Sequence, residues 1–130
     1  MKKILLVDDN DTNLYLIRFI LQKTGYEVIE ARDGLEGVKL ALEEKPDLVI
    51  MDIQLPGIDG LEATRRIRAS ESDHKVPIIA LTAHAMTSDR EETLAAGCNG
   101  YISKPIDVKN FVREIKRYMK DTPHPAISDG

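Results

Sequence analysis

The sequence predicts an α/β fold: one open, parallel, five-stranded sheet with helices on both faces. Three observations carry that prediction. Five short β-rich runs recur along the 130 residues, each separated from the next by a stretch of helical periodicity. The runs "KILLV" (3–7), "DLVIM" (47–51) and "PIIAL" (77–81) are nearly continuous in apolar residues, as strands buried on both faces are. The strict alternation of strand and helix implies parallel pairing through right-handed crossovers.

The elements follow in order. After the first run, Leu14, Ile17 and Leu21 recur at i, i+3 and i+7, and Gly25 stops that helix. The second run, "EVIEA" (27–31), alternates more strongly and suits an edge. Leu35, Val38 and Leu42 repeat the helical spacing until Lys45-Pro46. After the third run, Leu61, Thr64 and Ile67 form a shorter stripe behind Gly60. The fourth run leads to "SDREETLAA" (88–96), where Leu94 is the one large apolar residue. That helix is expected to be weakly anchored and therefore mobile. The fifth run, "YIS" (101–103), precedes the cleanest apolar face: Val108, Phe111, Val112, Ile115, Tyr118 and Met119. The tail "DTPHPAISDG" (121–130) has no periodicity and is expected to fray.

Composition narrows the function classes. The chain is 42% hydrophobic and 31% charged, ordinary for one globular domain. No apolar run approaches the roughly 18 residues of a membrane span. The start "MKKILLVDDN" meets acids after five apolar residues and offers no signal-peptide cleavage site. The single cysteine, Cys98, rules out an internal disulfide or a cysteine-based metal cluster and reads as a small buried residue. A net charge of −4 argues against nonspecific binding to nucleic acid or anionic lipid. A cytoplasmic protein is expected, with no nucleic-acid or membrane partner.

The residues at the carboxyl ends of the runs carry the chemistry. The first run ends in Asp8 and Asp9, the third in Asp52, the fourth in Thr82 and the fifth in Lys104-Pro105. Open α/β sheets build their sites along that edge. Three carboxylates drawn together repel one another, and a divalent cation relieves the repulsion. Oxygen-only ligands favour Mg²⁺ over Zn²⁺. A phosphoryl group at such a site would find Asp52 as nucleophile, with no general base required, and Lys104 and Thr82 as partners for its oxygens.

These stretches resemble a known family. "LLVDDN", "MDIQLPGIDG", "LTAHAM" and "YISKPI" are similar, in order and spacing, to the receiver domain of bacterial two-component response regulators. The wording is nearest to DivK-like single-domain regulators and to receivers attached to hybrid histidine kinases. The resemblance implies a flavodoxin-like fold with strand order 2-1-3-4-5, a receiver domain over residues 1–120 and a flexible tail over 121–130. It implies that Asp52 accepts a phosphoryl group from a histidine kinase or histidine phosphotransfer protein. Mg²⁺ would be held by Asp9 and Asp52, by the backbone carbonyl of Gln54, and by Asp8 through water. Thr82 and Lys104 would bind phosphoryl oxygens, and Lys104-Pro105 would be cis. Thr82 and Tyr101 would form the switch that alters the surface of the fourth helix, fifth strand and fifth helix, where a downstream protein docks. Gln54 and His84 would tune dephosphorylation.

Other readings stand beside this one. A Mg²⁺-dependent phosphatase with an aspartyl nucleophile would carry D-x-D after the first strand, where this chain has adjacent Asp8-Asp9. A phosphate-independent scaffold on the same fold usually lacks an acid or the lysine, and none is missing. The acidic loop "DDNDTN" lacks the donors an FMN phosphate needs. His74 and His124 read as solvated loop residues. Lys109, Arg113, Lys116, Arg117 and Lys120 read as a solvated basic helix face.

Overall fold

The computed structural model describes residues 2–71, 75–83 and 87–119, with backbone only at 87–89. Five strands, β1 (Lys3–Val7), β2 (Glu27–Ala31), β3 (Leu48–Asp52), β4 (Ile78–Thr82) and β5 (Gly100–Ser103), form one parallel sheet in the order β2-β1-β3-β4-β5. The connections are α1 (Asp11–Thr24), α2 (Gly34–Glu44), α3 (Gly60–Ser70) and α4 (Thr87–Ala96), and α5 (Val108–Met119) closes the fold. The second run does lie at an edge. Its side chains are exposed or half-buried up to Ala31, whereas every residue of β3 and β4 is buried.

Alternation along the strands divides the core in two. Ile4, Leu6, Leu48, Ile50, Ile79 and Leu81 face one side, against Leu14, Ile17 and Leu21 of α1 and Phe111 and Ile115 of α5. Leu5, Val7, Val49, Met51, Ile78 and Ala80 face the other, against Ala41 of α2 and Ala63 and Ile67 of α3. Cys98 joins the second cluster, and burial pushes its thiol above the usual range, as suits an inert packing residue.

Local chemistry sets the helix ends. Asn10 caps α1, its side chain accepting from the Asn13 N–H at 2.9 Å, and Gly25 ends it in the left-handed region at φ 104°. Asp33 and Asp59 cap α2 and α3 in the same way, accepting from Glu36 and Glu62 at 2.8 Å.

The buried faces of α2 and α5 differ from the sequence expectation, and that of α4 adds to it. In α2 the buried residues are Gly34, Gly37 and Ala41, while Leu35 is 59% exposed. Small residues let this helix lie close on β1; a Cβ at Gly37 would come within 3.0 Å of both methyls of Val7. In α4 Leu94 is 49% exposed, and Thr93 and Ala96 are buried instead. In α5, Val108 is also exposed, and Phe111, Ile115 and Met119 are the buried positions. Among the described residues, no helix is long and apolar enough to cross a membrane.

Candidate active site at the carboxyl edge of the sheet

Strand register assembles the site. β1 pairs with β3 so that Val7 lies opposite Met51, which sets Asp8 beside Asp52 one step further on. Asp52 is the last residue of β3 and pairs with Leu81 of β4. Thr82 then ends β4 opposite Ser103. The Lys104 N–H donates to the Thr82 carbonyl at 2.7 Å and fixes the chain just beyond β5. Two strand spacings, roughly 10 Å, separate β5 from β3. The Lys104 stem covers that gap and brings Nζ to 3.0 Å from Asp52 Oδ2. The Lys104–Pro105 peptide is cis.

The three carboxylates converge. One oxygen from each of Asp8, Asp9 and Asp52 lies within 4.8 Å of the others. Asp8 and Asp52 are buried, at 0% and 3% exposure, while Asp9 opens to solvent. Asp52 Oδ1 accepts from the Gln54 backbone N–H at 3.1 Å, and Asp8 Oδ1 accepts from the Asn10 N–H at 2.9 Å. Asp8 Oδ2 is different: it is buried and no protein donor reaches it. A bare, buried carboxylate oxygen is costly. Burial raises the Asp8 carboxyl from its ordinary 3.8 to about 6. The Asn10 N–H opposes that rise, neighbouring Asp52 adds to it, and Lys104 counteracts part of it.

An orphaned acceptor beside two further carboxylates is what a hard cation satisfies, so this donor set fits Mg²⁺. A helix-capping role does not account for Asp8 and Asp9, since Asn10 already caps α1.

The other expected residues fall around this centre. Thr82 is 8% exposed and lines a cavity of about 130 Å³ with Ile53, Gln54, Leu61, Ala83 and Thr93. Gln54 is exposed on the loop after β3. Gly60 lets α3 start against β3: a Cβ there would meet the Asp52 carbonyl oxygen at 2.1 Å. Tyr101 lies in β5, half-buried, two positions before Ser103. His84, His74, His124 and Lys120, with the tail, lie outside the described residues.

Sequence reasoning missed two arginines. Arg90 of α4 donates from Nε and Nη2 to the Tyr101 hydroxyl, at 2.9 and 2.6 Å. Arg68 of α3 donates to the Gly97 carbonyl, to both oxygens of Glu71 and to Asn99 Oδ1, each at 2.9 Å. The Arg68–Glu71 pair has the local i, i+3 spacing, but the contacts to Tyr101, Gly97 and Asn99 join a helix to a loop or strand further along the chain and have no periodic signature.

Comparison with known proteins agrees with this geometry. The family model for the response regulator receiver domain matches residues 4–116. The polar-differentiation response regulator DivK of Brucella anthropi is 45% identical over 120 residues, covering 92% of this chain and 98% of that protein. Among solved structures, the receiver domain of a Pseudomonas aeruginosa sensor histidine kinase, with a magnesium ion coordinated in its active site cleft, is 43% identical. Its TM-score is 0.84 and the match covers 91% of this chain and 97% of that one. The receiver domain of the Saccharomyces cerevisiae regulator Ssk1, solved with the histidine phosphotransfer protein Ypd1, is 30% identical at a TM-score of 0.83. That match covers 90% of this chain and 88% of the other.

Proposed function

As the chain belongs to the response regulator receiver family of two-component signalling, we propose that Asp52 is its phosphoacceptor and that the phosphoryl state is read out at the α4-β5-α5 surface. The donor is the phosphohistidine of a histidine kinase or phosphotransfer protein. A carboxylate oxygen of Asp52 forms a bond to phosphorus as the P–N bond to the donor breaks, and the electron pair returns to the imidazole nitrogen. The observation that carries the reading is the Lys104 ammonium, 3.0 Å from Asp52 beside two more carboxylates.

Asp9 and Asp52 would hold Mg²⁺ directly, joined by the Gln54 carbonyl, with Asp8 acting through water. The ion supplies positive charge against the phosphoryl oxygens. The chain's own residues do the rest. Lys104, already on Asp52, pairs with one phosphoryl oxygen, and the Thr82 hydroxyl donates to another. The Gln54 N–H on Oδ1 and the burial of Asp52 fix the direction of attack. Drawing Thr82 toward the phosphoryl group opens space beside it, and Tyr101 turns from the surface into that space. The outcome is a population shift toward a second arrangement of α4, β5 and α5, where a downstream protein docks. Gln54 and His84 would tune the later hydrolysis of the acyl phosphate. The chain is a signalling module; phosphorylation and dephosphorylation of itself are its only catalysis.

Intact-mass spectrometry tests this. Wild type with acetyl phosphate and Mg²⁺ gains one phosphoryl group and loses it again over time, and Asp52→Asn gains none. An unchanged gain in Asp52→Asn, or steady turnover of a generic phosphate ester, would overturn the reading.

A further inference from the structure

The Tyr101 hydroxyl is gripped from the surface. Arg90 is exposed, yet two of its guanidinium N–H groups converge on that one oxygen, and its carbon sits 5.3 Å from the Tyr101 ring centroid. The opposite end of α4 is pinned separately. Thr93 and Ala96 are buried, and the Gly97 carbonyl accepts from Arg68, which Glu71 holds with both carboxylate oxygens. The first half of α4 is thus tied to the sheet through Arg90 and Tyr101, and the second half through α3.

We propose that Arg90 is a positioning residue that latches Tyr101 at the surface and so sets how readily this receiver enters its phosphorylated conformation. This rests on the reading above, in which Tyr101 turns inward toward Thr82 on phosphorylation. Turning inward breaks both hydrogen bonds and the cation–π contact. The latch therefore favours the arrangement that phosphoryl disfavours. Reciprocity then requires that releasing the latch favour the phosphoryl-bound arrangement by the same factor. An exposed cation–π contact together with a solvent-facing hydrogen bond makes that factor about three- to tenfold.

The test uses the full chain labelled with 3-fluorotyrosine, observed by ¹⁹F NMR and titrated with beryllofluoride in Mg²⁺ as a phosphoryl stand-in. Four tyrosines are present, and Tyr101→Phe assigns the resonance. In wild type the Tyr101 resonance should move on titration. In Arg90→Ala it should start part-way toward the end point, and saturation should come at about three- to tenfold lower beryllofluoride. Arg90→Lys keeps the charge but loses the two-pronged donor, and should fall between. Acetyl phosphate should label Arg90→Ala faster by a similar factor. Adding Arg90→Ala to Tyr101→Phe should change the labelling rate no further. An unchanged or raised midpoint in Arg90→Ala, with wild type still responding, overturns the latch and leaves the receiver reading standing. No response to beryllofluoride anywhere in the wild-type spectrum overturns the receiver reading, and the latch with it.

Discussion

Replacing Asp8 with Asn should make the cation-free protein more stable, even though it removes a site residue. Asp8 is fully buried, and its Oδ2 has no protein donor. Its carboxyl is raised from 3.8 to about 6 in the folded chain. The native state therefore holds this proton more tightly than the unfolded state does. The associated stability is fully present below the unfolded value of 3.8 and is lost as pH rises through about 6. A tenfold change in proton affinity is worth about 1.4 kcal/mol, so a charged Asp8 costs the fold about 3 kcal/mol at pH 8. The substituted amide keeps an oxygen for the Asn10 N–H, and its NH₂ can donate toward Asp52. The assay is urea denaturation of wild type and Asp8→Asn in chelator from pH 4 to 8, read as the difference between the two. The difference cancels the titrating groups that do not interact with Asp8. Asp8→Asn should be more stable by about 1–3 kcal/mol at pH 8, allowing for relaxation around the charge, with the advantage vanishing near pH 4. Mg²⁺ should then raise wild-type stability by more than it raises that of the variant, which keeps Asp9 and Asp52 as direct ligands. A variant no more stable than wild type at pH 8 in chelator would refute the reasoning.

Four further predictions follow from the same geometry. Gly60→Ala drives a Cβ into the Asp52 carbonyl, so denaturation should show a loss of about 1–3 kcal/mol and acetyl phosphate should label Asp52 poorly. Arg68→Ala takes the cation from the Glu71 carboxylate, whose side chain is only 6% exposed and which keeps the Val76 N–H, and should cost about 2–4 kcal/mol in urea while leaving the extent of phosphorylation intact below the transition. Thr82→Ala should still accept a phosphoryl group by intact mass, yet beryllofluoride should no longer move the Tyr101 resonance; normal movement would count against the coupling. Apparent Mg²⁺ affinity, measured by titration, should fall as pH drops through about 6, because Asp8 takes up a proton there; a constant affinity from pH 5 to 8 contradicts that assignment.

What could be read from sequence, and what could not, divides along physical lines. The buried strands were legible because residues such as Val49, Ile50 and Met51 are apolar on both faces, and helices cover both faces of β3. The shared edge was legible because a parallel sheet brings every carboxyl end to one side, so Asp8, Asp52, Thr82 and Lys104 fall along it once the strands are located. The α2 face was not legible. Periodicity favours large residues such as Leu35, whereas close approach selects small ones, Gly34 against Ile58 and Gly37 against Val7. Asp52 and Thr82 read as residues following their strands but prove to be the last members of β3 and β4. Their ladder partners, Leu81 and Ser103, continue the register by one step. The contacts of Arg90 to Tyr101 and of Arg68 to Gly97 and Asn99 depend on side-chain reach between elements, which no local pattern encodes.

The central claim is that the acceptor oxygen belongs to Asp52. The most direct measurement phosphorylates wild type with acetyl phosphate and Mg²⁺, reduces the acyl phosphate with labelled borohydride, and maps the label by peptide mass spectrometry. Label is expected at residue 52, as homoserine in place of aspartate. Label at Asp8, Asp9 or a histidine, with residue 52 unmodified, would contradict the claim.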